Sequence, residues 1–122
     1  MSKLALVLSV AGISAGFLAF PVSAKTGDSD LRPVATALMT GNYVEAETRI
    51  AADPASGQDP AMLINLGNAY AGMGRRADAQ LAYRAALGIP DEDLDLADGS
   101  VRSSHQVAAS ALRQLGVGFA SR

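Results

Sequence analysis

Two short helices separated by a glycine-containing turn are predicted between Pro60 and Pro90. Asp59 is suited to cap the first helix, and Pro60 is suited to its first position, where a backbone N–H would lack a partner in any case. Apolar and small residues then recur at the spacing of one helical face. Gly72 and Gly74 bracket the end of this helix, because a glycine at positive φ can close a helix.

The second helix of this segment is predicted to begin near Arg75 or Arg76 and to end at Gly88 and Pro90. Its inward face is expected to hold five residues, namely Ala79, Leu81, Tyr83, Ala86 and Leu87. The expected structure of residues 59–90 is therefore a helical hairpin. No residue type in it indicates catalysis.

The spacing in this hairpin resembles that of the tetratricopeptide repeat, whose motif is Trp-x2-Leu-Gly-x2-Tyr followed by an Ala, an aromatic residue, a second Ala and a Pro. The matching positions are Leu63, Leu66, Gly67, Tyr70, Ala79, Tyr83, Ala86 and Pro90. Leu63 replaces the Trp, and Pro90 comes one residue early. Gly67 and Ala79 are small residues, and we expect them to let the two helices approach closely.

The resemblance implies an all-α fold of antiparallel helix hairpins, and a function in binding proteins or peptides through a concave groove lined by the first helix of each repeat. In that family an Asn directly after the Leu-Gly pair often bonds the bound peptide, and Asn68 stands there. Ile64 replaces the Lys of the carboxylate-clamp repeats, so a full clamp is not expected. The groove candidates are Asn65, Asn68, Arg102 and His105. A structural role for Asn68 is an equal alternative.

Residues 30–54 are predicted to form a second, degenerate copy of the hairpin, after a polar linker at 25–29. Its first helix has an amphipathic face made of Leu31, Val34, Ala35 and Leu38. Three positions align with the clear copy at one constant shift along the chain: Gly41 with Gly74, Ala46 with Ala79, and Ile50 with Tyr83. A repeated unit of helix, glycine turn and helix is typical of a solenoid.

The stretch 91–99 is strongly acidic and is predicted to be a solvated linker. Its alternating carboxylates also suggest a calcium loop. However, the Gly and the Glu that an EF-hand needs at its sixth and twelfth positions are Leu96 and Arg102 here. Binding of some other cation stays open. Residues 100–116 are predicted to form a capping helix with Val101 on its inward face, covering the flank of the preceding repeat.

Residues 1–24 have the form of a Sec-type signal peptide. Lys3 precedes an apolar run over 4–20, and the sequence PVSA at 21–24 has the small residues of a cleavage site. Cleavage after Ala24 is expected to leave the protein in the periplasm of a bacterium. The alternative is an uncleaved membrane anchor, for which the apolar run, diluted by Ser and Gly, is short.

Composition narrows the classes of function. The 122 residues have a net charge of −2, no cysteine and one histidine, and the basic residues are scattered. Neither nucleic-acid binding nor a thiolate site is therefore expected, and no catalytic residue, metal or cofactor is predicted. The expected function is an exported protein-interaction module or assembly adaptor. The alternatives are a structural subunit or homodimer of a cell-envelope assembly, and a membrane-anchored scaffold if the N-terminal segment is retained.

Overall fold

The computed structural model describes residues 5–8, 20–23, 28–96 and 99–120. This part of the chain is mostly helical, as the sequence predicts. Its α-helices are α1 (Asp28–Met39), α2 (Tyr43–Ala52), α3 (Pro60–Gly72), α4 (Arg76–Leu87) and α5 (Ser104–Ala120), with a 3₁₀ turn at Ser56–Gln58. Its strands are β1 (Ala5–Leu8), β2 (Phe20–Ser23), β3 (Asp93–Asp95) and β4 (Val101–Ser103).

Each α-helix contacts the next one along the chain, and α3 lies between two hydrophobic clusters. One cluster joins α1 and α2 to α3 through residues that include Leu38, Ile50 and Met62. The other joins α3 to α4, β3 and α5 through residues that include Tyr83 and Leu94. Nine residues of α3 are buried, which makes this helix the centre of the core.

The ends of α3 are closed as the sequence predicts. The N–H of Ala61 donates a hydrogen bond of 2.9 Å to Asp59 Oδ1, and Pro60 occupies the first turn. Such a cap satisfies one of the backbone donors that the first turn of a helix leaves free. At the other end, Gly74 has a φ of 77°, a conformation in which a side chain would be strained.

The α1–α2 turn and the α3–α4 turn have the same backbone geometry. A glycine at positive φ lies in each, Gly41 at 76° and Gly74 at 77°. The N–H of Asn42 donates to the carbonyl of Ala37 at 2.7 Å, and the N–H of Arg75 donates to the carbonyl of Tyr70 at 2.8 Å. The constant shift between the two segments therefore recurs in the hydrogen bonds, and the two turns repeat one local backbone motif.

No strand is predicted from the sequence, and the stretch 91–103 differs from expectation. β3 and β4 pair in an antiparallel hairpin, so the predicted linker contains a strand and α5 begins four residues later than expected. Leu94 and Leu96 are 1% and 3% exposed and alternate with acidic residues, which is the two-residue period of a strand. Val101, expected to face inward on a helix, lies in β4 and is 52% exposed.

Leu81 is a second correction within α4. The prediction that it faces inward is wrong, since 64% of it is exposed. Ala79, Tyr83 and Ala86 define the buried side of α4, and all three are fully buried. At about 100° per residue, a position two residues after Ala79 points away from that side.

The N-terminal strands lie within the segment predicted to be a signal peptide. β1 and β2 pair antiparallel, with Leu6 opposite Val22. The cleavage site expected after Ala24 lies outside the described residues. None of the helices in the described ranges has both the length and the apolar character that a membrane span requires.

Candidate functional site

The central helix α3 contains no acidic, basic or histidine residue, and its only two amide side chains are Asn65 and Asn68. Both asparagines are buried, with exposed fractions of 0% and 1%. Because they are three residues apart, they lie on the same side of the helix. The structure therefore brings these two of the four predicted groove residues together, but inside the protein and not on an open surface.

Asn68 accepts a hydrogen bond from Tyr83. The distance from the Tyr83 hydroxyl to Asn68 Oδ1 is 2.6 Å, and both side chains are buried. Burial raises the pKa of Tyr83, so the hydroxyl keeps its proton and acts as the donor. The contact joins α3 to α4 and favours the structural role for Asn68 that the sequence left open.

Close packing of α3 on α4 depends on Gly67. The ring of Tyr83 occupies the space into which a side chain at Gly67 would project, with Tyr83 Cδ1 only 2.6 Å from an ideal Cβ position. Real Cβ atoms do not approach ring atoms this closely. This observation agrees with the sequence expectation that a small residue at this position allows the helices to touch.

The strand β2 contacts both α1 and α3. We call the surface that α1 and α3 present to β2 the α1–α3 face. α3 contains no charged side chain, and the charged residues of α1, namely Asp28, Asp30 and Arg32, all lie in its first half. α3 and the second half of α1 can therefore hold an extended, uncharged stretch of polypeptide. The resemblance implies that the first helix of each repeat lines the groove, but no residue of α1 is among the predicted groove candidates.

Arg102 and His105, the other two predicted groove residues, lie on β4 and in the first turn of α5. Both are half-buried. Arg102 Nη2 donates to Ser110 Oγ at 3.2 Å, and His105 Nε2 lies 2.6 Å from the carbonyl oxygen of Ile89. Each therefore bonds to the C-terminal part of the chain, and neither belongs to the α1–α3 face.

A cap at the start of α5 is a feature that the sequence reasoning missed. Asp91 Oδ1 accepts hydrogen bonds from the N–H of His105 at 2.9 Å and from the hydroxyl of Ser104 at 3.1 Å. The bond from the His105 N–H is the main cause that lowers the pKa of Asp91, and the Ser104 hydroxyl adds to it. Asp91 precedes the whole β3–β4 hairpin whereas α5 follows it, so local sequence patterns do not connect the two.

Arg75 joins the two helical hairpins at the surface. Its guanidinium pairs with Asp78 at 2.8 Å and with Glu47 of α2 at 3.3 Å, and it lies 4.5 Å from the ring centre of Tyr70. Desolvation and the nearby Glu47 raise the pKa of Tyr70. Because these pairs are exposed, we expect each to contribute little to stability.

In the described ranges, no group of three or more His, Asp or Glu side chains could hold a metal ion. No protein-family model, no curated protein and no solved structure matches the chain. The assignment of a function therefore depends on the geometry of the α1–α3 face.

Proposed function

We propose that the protein is an exported interaction module that binds an extended segment of a protein partner on the α1–α3 face, without catalysing a reaction. The observation that carries the proposal is the contact of one extended segment, β2, with both α1 and α3. A surface that accommodates an extended stretch of its own chain has the shape and the apolar character that an extended partner segment requires.

The recurrence of the turn supports a repeat architecture of the tetratricopeptide kind. Matching glycines and matching backbone hydrogen bonds recur at one constant shift, which is close to the length of that repeat. In such an architecture α1 and α3 are equivalent helices of successive repeats. This equivalence agrees with the contact that both helices make with β2. The predicted signal peptide supports a location in the periplasm.

A second candidate function is a structural subunit that assembles through its outer surface. Val44 on α2 is 62% exposed and Leu81 on α4 is 64% exposed. Large apolar side chains exposed on two neighbouring hairpins favour contact with another protein surface, including a second copy of this chain.

The proposal can be tested by cross-linking in the periplasm. A C-terminally tagged chain would be expressed as wild type, as Asn65→Ala and as Asn42→Ala, and its cross-linked products would be purified. We expect Asn65→Ala to lose a discrete cross-linked partner at least about tenfold, because a buried amide of α3, the central helix of that face, is removed. Asn42 is an exposed amide that bonds Glu45 at 2.7 Å, so Asn42→Ala serves as the matched control.

Two results would contradict the proposal. One is the absence of any discrete cross-linked product from the periplasmic protein. The other is a partner retained equally by Asn65→Ala and Asn42→Ala, which would place the binding surface elsewhere. The same purification gives the mass of the exported chain, and we expect it to begin at Lys25.

A further inference from the structure

The N-terminal hairpin lies on the face that the proposed function assigns to the partner. β2 contacts α1 and α3, and both β1 and β2 also contact β3. The hairpin is thus held between β3 and the two helices. A segment in this position prevents any other extended chain from making the same contacts.

We infer that residues 20–23 are an intramolecular competitor for the partner site, and that separating residues 1–24 from the rest of the chain opens this site. The inference rests on the proposed function, because it concerns regulation of the same face. Before processing, the chain occupies its own binding surface and is inactive as an adaptor. After processing, an external segment can replace β2.

The distribution of charged residues indicates which kind of partner segment can bind the α1–α3 face. Residues 4–24 and α3 contain no charged side chain, and α1 carries its charges, Asp28, Asp30 and Arg32, only in its first half. A charged side chain buried against such a surface would lose its hydration without gaining a counter-charge, which is costly. The partner segment is therefore extended, uncharged and mainly apolar, which is the chemistry that it shares with its competitor.

The tether makes the competition effective. A segment joined by a short linker is present at an effective concentration on the order of 1 mM. If the competitor itself binds the face with a Kd on the order of 10 μM, it weakens the binding of an external peptide about 100-fold. Cutting the linker reduces the competitor to the concentration of the protein itself, so nearly all of this factor should be recovered.

The test uses the full chain with a protease recognition sequence placed between Ala24 and Asp28. The probe is a fluorescent peptide with the sequence LAFPVSA of residues 18–24. Its Kd is measured by fluorescence anisotropy before and after cleavage, with no fragment removed, and helical circular dichroism is recorded for both samples. We expect binding about 100-fold tighter after cleavage. Equal affinity in the two samples, or no binding after cleavage with helicity intact, overturns the inference.

A variant of the uncut chain provides independent evidence. Pro21→Asp combined with Val22→Asp puts a carboxylate on each side of β2, because adjacent residues of a strand point to opposite faces. Charge held against this uncharged surface is costly, so the segment should leave the face and the uncut chain should bind the probe about as tightly as the cut one. Ser14→Asp with Ala15→Asp adds the same charge between the two strands, and this control should bind as weakly as the uncut wild type.

The outcomes separate this inference from the proposed function. If the uncut Pro21→Asp, Val22→Asp variant binds the probe no more tightly than the uncut wild type does, residues 20–23 are not a competitor for the face. If the cut chain does not bind the probe but exported protein still cross-links to a partner through Asn65, the inference fails and the proposed function stands. If the cut chain does not bind the probe and the exported protein does not cross-link to a partner through Asn65, both the inference and the proposed function are excluded.

Discussion

The hydroxyl of Tyr83 donates a hydrogen bond to Asn68 Oδ1 at 2.6 Å, inside the protein and across the boundary between α3 and α4. The ring of the same tyrosine fills the space beside Gly67. One residue of α4 thus fixes both the distance between the two helices and their relative position along the axis. The residues in this contact are therefore the most sensitive places to test the fold.

The first prediction concerns the hydroxyl alone. Tyr83→Phe keeps the ring but leaves the buried Asn68 oxygen without this donor, so we expect a loss of about 1–3 kcal/mol in the free energy of unfolding. Tyr83→Ala also leaves a cavity and should cost about 3–5 kcal/mol. Urea titrations give both values. Tyr43→Phe changes a half-buried tyrosine and serves as the control. A Tyr83→Phe midpoint equal to that of wild type would show that the hydrogen bond contributes nothing.

The second prediction compares two helical glycines. Gly67→Ala should destabilise the protein by about 1–3 kcal/mol through overpacking against Tyr83. Gly116 lies in α5 with nothing within 4 Å of an ideal Cβ position, so Gly116→Ala should instead stabilise by up to about 1 kcal/mol through helix propensity. Thermal melts of the two variants should therefore shift in opposite directions. A Gly67→Ala melt at or above that of wild type would mean that α3 and α4 do not touch as described.

The success of sequence reasoning at α3 and α4 has a local cause. Asp59, Pro60 and Gly74 act on their immediate neighbours, so their effect on the ends of a helix can be inferred from a few residues. The contact of Gly67 with Tyr83 joins two helices that are consecutive in the chain and separated by a short turn. These parts of the fold depend on few contacts between residues that are distant in the chain.

The features that the sequence did not predict depend on contacts between residues that are distant in the chain. β3 has three residues, and the alternation around Leu94 is too short to distinguish a strand from an acidic linker. Its partner β4 comes several residues later, and the cap of α5 by Asp91 spans a similar gap. The burial of Asn65 depends on which elements cover α3, which the pattern of a single helix cannot reveal. The sequence therefore predicts an open groove at Asn65 and Asn68, whereas both side chains are buried.

A third prediction concerns the two equivalent turns. Gly41→Ala and Gly74→Ala each force a Cβ into a positive φ, at 76° and 77°, and each should cost about 1–2 kcal/mol. Because the space around both glycines is open, backbone strain is the only effect expected, and the two costs should agree within about 0.5 kcal/mol. Gly57→Ala, also in open space but at ordinary φ, is the control variant. Chemical denaturation gives the free energy of unfolding for all three variants. Clearly unequal costs would indicate that the turns are not equivalent.

A fourth prediction concerns pH. The N–H of His105 lowers the pKa of Asp91 in the folded protein below its unfolded value of about 3.9. The carboxylate therefore contributes stability above the unfolded pKa, and this contribution is lost as the pH falls through the folded pKa. Asp91→Asn should be less stable than wild type at pH 7, and the difference should shrink below about pH 4.

Urea midpoints at pH 7 and pH 3 provide the measurement for Asp91. Asp93→Asn removes an exposed carboxylate from β3 and controls for the general effect of charge. If the two variants show the same pH dependence, the cap at the start of α5 has no specific role in stability.

The last prediction concerns self-association. The described core is built mainly from Ala, Leu, Val and Ile, with Tyr83 as its one fully buried aromatic side chain, and a small aliphatic core leaves a narrow margin of stability. Covering Leu81 and Val44 with a second copy would add apolar burial at about 25 cal/mol per Å². We therefore expect light scattering over a dilution series to show a mass that rises from monomer toward dimer, with a melting temperature that rises in parallel. Leu81→Lys should keep the chain monomeric, whereas Thr48→Lys, at an exposed polar position of α2, should not. A monomer at every concentration, with a constant melting temperature, would exclude self-association through Leu81 and Val44.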